Sequence, residues 1–268
     1  MRTALVQVAS PAGEPVADRR DRVASMVSEA AGADIIVLPE LWLPGYFAFG
    51  TYPDLAEPLD GDTVTAAREW ARGLGCHLHM GSVLERAADG RLYNTAVLIG
   101  PTGEIVHAYR KIHVFGYQSR EAELLSPGED ATTVHTALGT IGTTTCYDLR
   151  VPELYRALVD EGAETIVVCS AWPKARLHHW RLFTSCRAVE EQVVLIACNA
   201  VGEQADGVEL GGHSRIVDPL GQVLVEAGES EGVTFCDVDT GVIASARTEF
   251  PVLADRRLPF PTSTRNEV

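Results

Sequence analysis

The sequence predicts an α/β fold in which two sheets stack face to face and helices cover them on the outside. Strand-like segments outnumber helical ones, and helices separate short continuous apolar runs: Ala33-Asp-Ile-Ile-Val-Leu-Pro39, Thr165–Cys169 and Val193–Cys198. Such runs suit strands buried on both faces, because a strand with one wet face would alternate. No linker-like shift of composition, internal repeat or low-complexity stretch stands out in the 268 residues. They read as a single domain, with 259–268 as a loose tail or an arm that crosses a partner subunit.

In chain order, residues 2–9 form a strand and 16–31 a helix, followed by the apolar run at 33–39. A helix over 62–74, polar along one side, leads to a strand near 77–85. Turns at Ala-Ala-Asp-Gly (87–90) and Pro-Thr-Gly (101–103) bound strands at 92–99 and 104–110. A Leu-Gly turn joins strands 132–136 and 140–146, and a helix begins near Pro152, where proline suits a first turn. Strand 165–169, helix 176–190 and strand 193–198 follow. The last third reads as mostly β, with strands at 213–217, 222–226 and 232–238.

Hydrophobic residues make up 46% and charged residues 22%, enough apolar material for a sizeable core. A formal net charge of -15 argues against nucleic-acid partners, which need clustered Lys and Arg, and against anionic membranes. No apolar stretch nears the roughly 20 residues of a membrane span, and no signal-peptide pattern opens the chain. Six cysteines without a C-x-x-C pair read mostly as buried thiols and imply a cytoplasmic setting. Cys76-His-Leu-His79 and His178-His179 complete no familiar metal site and read as structural. Neither a nucleotide-binding glycine loop nor a G-x-S-x-G elbow occurs, and no metal or organic cofactor is expected.

Three segments end probable strands with reactive side chains. Leu38-Pro-Glu40 delivers a carboxylate at the carboxyl end of a buried run, where α/β sheets place ligands. Tyr109-Arg-Lys111-Ile-His113 does the same with an ammonium, and Gly142-Thr-Thr-Thr-Cys146 with a thiol at a strand-to-helix bend. Such a bend exposes a nucleophile beside free backbone N–H groups. Each has a plain alternative when taken alone: a surface glutamate, a solvated lysine, a buried structural cysteine. His113 reads as a packed, hydrogen-bonded histidine.

Together the three resemble the nitrilase superfamily of carbon–nitrogen hydrolases, marked by a Glu–Lys–Cys triad in this chain order. Leu38-Pro-Glu40, Tyr109-Arg-Lys111 and Cys146-Tyr-Asp-Leu-Arg150-x-Pro-Glu-Leu carry the likeness, with Leu125-Ser-Pro-Gly128, Arg187-Ala-Val-Glu-Glu-Gln192, Asn199 and Gly212–Gly221 in support. The resemblance implies a four-layer αββα sandwich and a second glutamate before the Ser-Pro-Gly turn, Glu121 in preference to Glu123. It implies that Glu40 is the base, that Cys146 attacks, and that Lys111 with the backbone N–H of Tyr147 holds the oxyanion.

A thiol of pKa about 8.5 and a carboxylate of about 4.3 exchange a proton uphill by roughly 6 kcal/mol. Glu40 is therefore expected to be desolvated, between Cys146 and Lys111. Tyr46 and Phe47 are expected on one wall of a pocket and Trp172 on another, with core packing as the alternative. Arg150 lies in a segment similar to that of ω-amidases, which implies that it holds a substrate carboxylate; a structural pair with Asp148 or Glu153 is the alternative. The expected reaction is hydrolysis of a small linear amide to an acid and ammonia, ω-amidase-like, through a thioester. Hydrolysis of an N-carbamoyl compound comes second, a true nitrilase third, and a catalytically silent scaffold stands as a different class. Family likeness further implies a homodimer, or a larger even homo-oligomer, paired through helices 151–161 and 176–190.

Overall fold

Alternation along the strands builds the layers. In the computed structural model, which describes residues 1–205 and 207–257, the first half runs β1 (Arg2–Gln7), α1 (Val16–Glu29), β2 (Ile35–Val37), α2 (Tyr52–Leu55), α3 (Asp62–Leu74), β3 (His77–Arg86), β4 (Leu92–Ile99) and β5 (Ile105–Arg110). The second runs α4 (Glu121–Leu124), β6 (Thr133–Thr136), β7 (Gly139–Thr145), α5 (Pro152–Asp160), β8 (Thr165–Ser170), α6 (Leu177–Glu191) and β9 (Val194–Asn199). Short strands β10 (Val201–Glu203), β11 (Glu209–Gly211), β12 (Arg215–Val217), β13 (Val223–Glu226) and β14 (Gly232–Asp237) precede α7 (Gly241–Glu249).

Two six-stranded sheets result, in the orders β14-β1-β2-β3-β4-β5 and β13-β12-β9-β8-β7-β6. Leu5, Ile35 and Val37 turn inward to meet Val167, Ile196 and Cys198 of the facing sheet. Their neighbours Ala4, Val6, Ile36 and Leu38 turn outward under α1 and α3, while Ile166, Val168 and Leu195 lie under α5 and α6. Period-two alternation thus divides doubly buried strands between an inter-sheet layer and two helix-facing layers. This is the expected αββα sandwich.

Both halves follow one plan. Strands β1, β2 and β3 are mutually parallel, as are β7, β8 and β9. Gly32-Ala-Asp34 enters β2 and Gly162-Ala-Glu164 enters β8, with Gly32 at φ 87° and Gly162 at φ 89°. The Asp34 carboxylate accepts the Arg2 N–H at the start of β1, and Glu164 accepts that of Thr140 at the start of β7. The sequence reading passed over this correspondence, because it spans only a turn and a strand.

Most predicted elements stand within two residues of their expected ends. The short helices α2 and α4 had no counterpart, and in the last third α7 ends what was read as β and the β10–β11 pair was not foreseen. Short strands and a helix whose side chains are only partly buried leave weak periodic signals. No described helix is long and apolar enough to cross a membrane. The expected tail or arm at 259–268 lies outside the described residues.

Candidate active site

The carboxyl ends of β2, β5 and β7 converge on one cluster. Pro39 and Glu40 leave β2 against Gly81, where an added Cβ would overlap the Pro39 carbonyl, so glycine permits the close approach. Gly128 is packed in the same way against the Arg110 carbonyl, and its N–H bonds the Lys111 carbonyl at 2.8 Å. Cys146 follows β7 at φ 48°, in the left-handed region that side chains rarely adopt, at the head of a 3₁₀ turn over Cys146–Arg150. Asp148 fixes this bend: it accepts the Thr145 N–H at 2.9 Å, the Tyr109 hydroxyl at 2.7 Å and His113 Nδ1 at 2.8 Å. His113 is packed and hydrogen-bonded, as expected.

Lys111 Nζ lies 2.8 Å from Glu40 Oε1 and 2.8 Å from Glu121 Oε1, with all three side chains sealed from solvent. Glu121 Oε2 accepts the Tyr46 hydroxyl at 2.9 Å and the Phe115 N–H at 2.7 Å. Glu40 Oε2 accepts the Ala171 N–H at 2.9 Å. Glu123 points outward and pairs with Arg120, so the geometry favours Glu121. Asn94 joins the two carboxylates, its Nδ2 donating to Glu40 at 2.8 Å and to Glu121 at 3.1 Å. The sequence reading missed Asn94; its signal was an asparagine, a poor strand former, amid the apolar run of β4.

Two carboxyl groups flank one ammonium in a dry site. Burial pushes the Glu40 carboxyl above its usual range and the charge of Glu121 adds to this, against the pull of Lys111. Burial opposes the Lys111 ammonium, but Glu121 and Glu40 outweigh it and hold its pKa well above an ordinary lysine's. Burial and the Glu40 charge raise the Cys146 thiol, and Lys111 offsets only part of that.

Cys146 lies in a cleft of about 360 Å³ lined by Tyr46, Phe47, Phe115, Tyr147, Arg150 and Trp172, among others. All four expected pocket residues reach it. Asn199 pins the floor, accepting the Trp172 N–H at 2.6 Å. Arg150 lies 4.7 Å from the Trp172 ring centroid and 3.5 Å from His179 Nδ1. Among the described residues it pairs with neither Asp148 nor Glu153, the partners weighed for a structural ion pair; Trp172, Phe183 and His179 surround it instead. Neither His77-x-His79 nor His178-His179 belongs to a described cluster of three or more possible metal ligands.

Residues 2–248 match the carbon–nitrogen hydrolase family. A 2-oxoglutaramate amidase of Paenarthrobacter nicotinovorans is 38% identical over 95% of this chain and 88% of its own. The omega-amidase NIT2 of Homo sapiens is 33% identical over 90% of each chain. Saccharomyces cerevisiae Nit3, a member of branch 10 of the nitrilase superfamily, superposes with a TM-score of 0.88 at 29% identity, over 96% of this chain and 97% of that one. An amidase of Nesterenkonia sp. AN1, solved with the acetamide moiety of fluoroacetamide added covalently at its active-site cysteine, gives 0.81 at 26%, over 96% and 94%. With motifs, layers and clustered side chains in agreement, the chain belongs to the carbon–nitrogen hydrolases of the nitrilase superfamily, in their Nit-like, ω-amidase branch.

Proposed function

We propose that the protein hydrolyses the terminal amide of a small linear dicarboxylic monoamide, with 2-oxoglutaramate as the leading candidate, and releases ammonia. The carrying observation is the sealed Glu40–Lys111–Glu121 network beside Cys146, at a cleft lined by Arg150, which pairs with no carboxylate among the described residues. Glu40 takes the thiol proton as Cys146 sulfur attacks the amide carbonyl carbon. Lys111 Nζ bonds Glu40 Oε1 and both oxygens of Glu121; with the Glu121 oxygens sharing one N–H, another serves the developing oxyanion together with the Tyr147 backbone N–H. Protonated Glu40 then gives its proton to the leaving nitrogen, the carbon–nitrogen bond breaks, and a thioester and ammonia form. Water, deprotonated by Glu40, attacks the thioester and releases the acid and the thiol. Glu121 anchors Lys111 and orients the amide, and Asn94 bridges the two carboxylates. Arg150 holds the distal carboxylate.

Ammonia release from 2-oxoglutaramate, glutaramate, an N-carbamoyl amino acid and a simple nitrile tests this reading. Turnover of the two monoamides is expected to exceed the others by about a hundredfold or more. Faster turnover of the carbamoyl compound or the nitrile, or inertness toward all four, would overturn it.

The chain acts as one hydrolase domain in a cytoplasmic setting, which its six unbridged thiols support. It pairs through the face of α5 and α6, where Leu182, Val189 and the nearby Leu220 stand exposed. Light scattering that finds a monomer at micromolar concentration would count against pairing.

A further inference from the structure

No sequence motif singles out Arg176, yet it lines the same cleft as Cys146 and Arg150. It sits in the short turn after Pro173, immediately before α6, and its backbone is fixed at both ends. Its N–H bonds the Pro173 carbonyl at 3.0 Å, and its own carbonyl accepts the Trp172 indole N–H at 2.8 Å. Among the described residues no carboxylate pairs with the Arg176 side chain, and none pairs with Arg150.

That arrangement stands out in a chain with 37 acidic against 22 basic residues. Half-buried Arg22 takes Glu14 and Arg156 takes Glu191, while Arg68 and Arg247 give their N–H groups to backbone carbonyls. Here two arginines line a cleft walled by Phe47, Phe115 and Trp172, and no carboxylate among the described residues lines it with them. Burial and the like charge of Arg176 both work against the charged form of Arg150. An anion entering between the aromatic walls would offset the repulsion and meet two forks of N–H donors in a partly desolvated site.

We propose that Arg176 is a second anion-binding residue of the cleft, which joins Arg150 in holding the substrate's distal carboxylate and so selects ω-amides that end in a carboxylate over uncharged amides. The assignment rests on the amidase reading above and adds to it the residue that sets charge selection. Because the Arg176 fork lies in the cleft rather than in the Glu40–Lys111–Glu121 network, its removal weakens binding and leaves the bond-breaking step alone.

Arg176→Gln and Arg176→Lys, compared with wild type on glutaramate and on uncharged pentanamide of equal chain length, test it. In Arg176→Gln the KM for glutaramate is expected to rise about tenfold or more, with kcat and pentanamide turnover within about threefold. Arg176→Lys should recover part of the loss, as a point charge without the fork. Glutarate should raise the melting temperature of wild type more than that of Arg176→Gln, which reads binding apart from catalysis.

An unchanged glutaramate KM in Arg176→Gln, with wild type active on glutaramate, overturns this assignment alone. Equal losses on both amides also overturn it, since they mark a structural role. A wild type active on pentanamide and inert toward glutaramate and 2-oxoglutaramate overturns the ω-amidase reading and this one together.

Discussion

The two halves of the sandwich share a backbone plan and diverge where it ends. Gly32-Ala-Asp34 and Gly162-Ala-Glu164 open β2 and β8 with the same left-handed glycine and the same carboxylate-to-backbone bond. Eight residues past each glycine, however, the first half presents Glu40 and the second presents Ser170. The two positions meet, the Glu40 N–H facing the Ser170 carbonyl at 3.4 Å. The thiol comes instead from β7, so one half contributes the buried carboxylate and the other the nucleophile. Equivalent backbone therefore sets where a side chain arrives, and its identity and desolvation set what it can do. Size does not decide the chemistry either: a larger hollow of about 810 Å³ at the amino ends of the strands, lined by Asp34 and Glu164 among others, holds no nucleophile.

The sharpest test removes the nucleophile. Cys146→Ala is expected to lower amide turnover by about 10⁵-fold or more with unchanged circular dichroism. Residual activity near wild type would break the division between halves. Next comes the equivalent pair. Glu40→Gln should cost about 10²–10⁴-fold in kcat, while Ser170→Ala should cost less than about tenfold, because the buried Ser170 hydroxyl favours the charged form of Cys146 but is no proton acceptor of carboxylate strength. Similar losses from both would mean that position, and not the carboxylate, carries the effect.

Asn94→Leu sharpens the electrostatic side of the comparison. Its amide donates to both carboxylates and so favours their charged forms. Removing it should raise the Glu40 pKa further, since burial already holds it high. Glu40 works as a base in its ionised form, so the acid limb of the kcat/KM profile should move to higher pH. An unmoved limb, measured by ammonia release across pH, would deny Asn94 that part. The smallest effect belongs to the opposite end: Asp34→Ala and Glu164→Ala should each lose about 1 kcal/mol or less in a melting experiment and leave turnover within about twofold. Unequal losses would show that the two halves are less alike than their backbones.

Much of this was legible before the fold. Doubly buried runs marked β2, β8 and β9, and reactive side chains at the ends of β2, β5 and β7 marked Glu40, Lys111 and Cys146. Glu121 was legible only through family likeness, since a four-residue helix of mixed acids carries no pattern that separates Glu121 from Glu123. Arg176 and Asn94 were missed because each acts through residues far along the chain: Arg176 across the cleft from Arg150, Asn94 between carboxylates 54 positions upstream and 27 downstream.

By itself the sequence determined the order of layers and the residue types at strand ends, because alternation and turn chemistry are local and repeat along the chain. Only the tertiary structure decided which charges share a dry site. Burial raises the Glu40 carboxyl, and folding brings Arg150 and Arg176 into the cleft of the nucleophile with no carboxylate paired to either among the described residues; no spacing along the chain records that proximity.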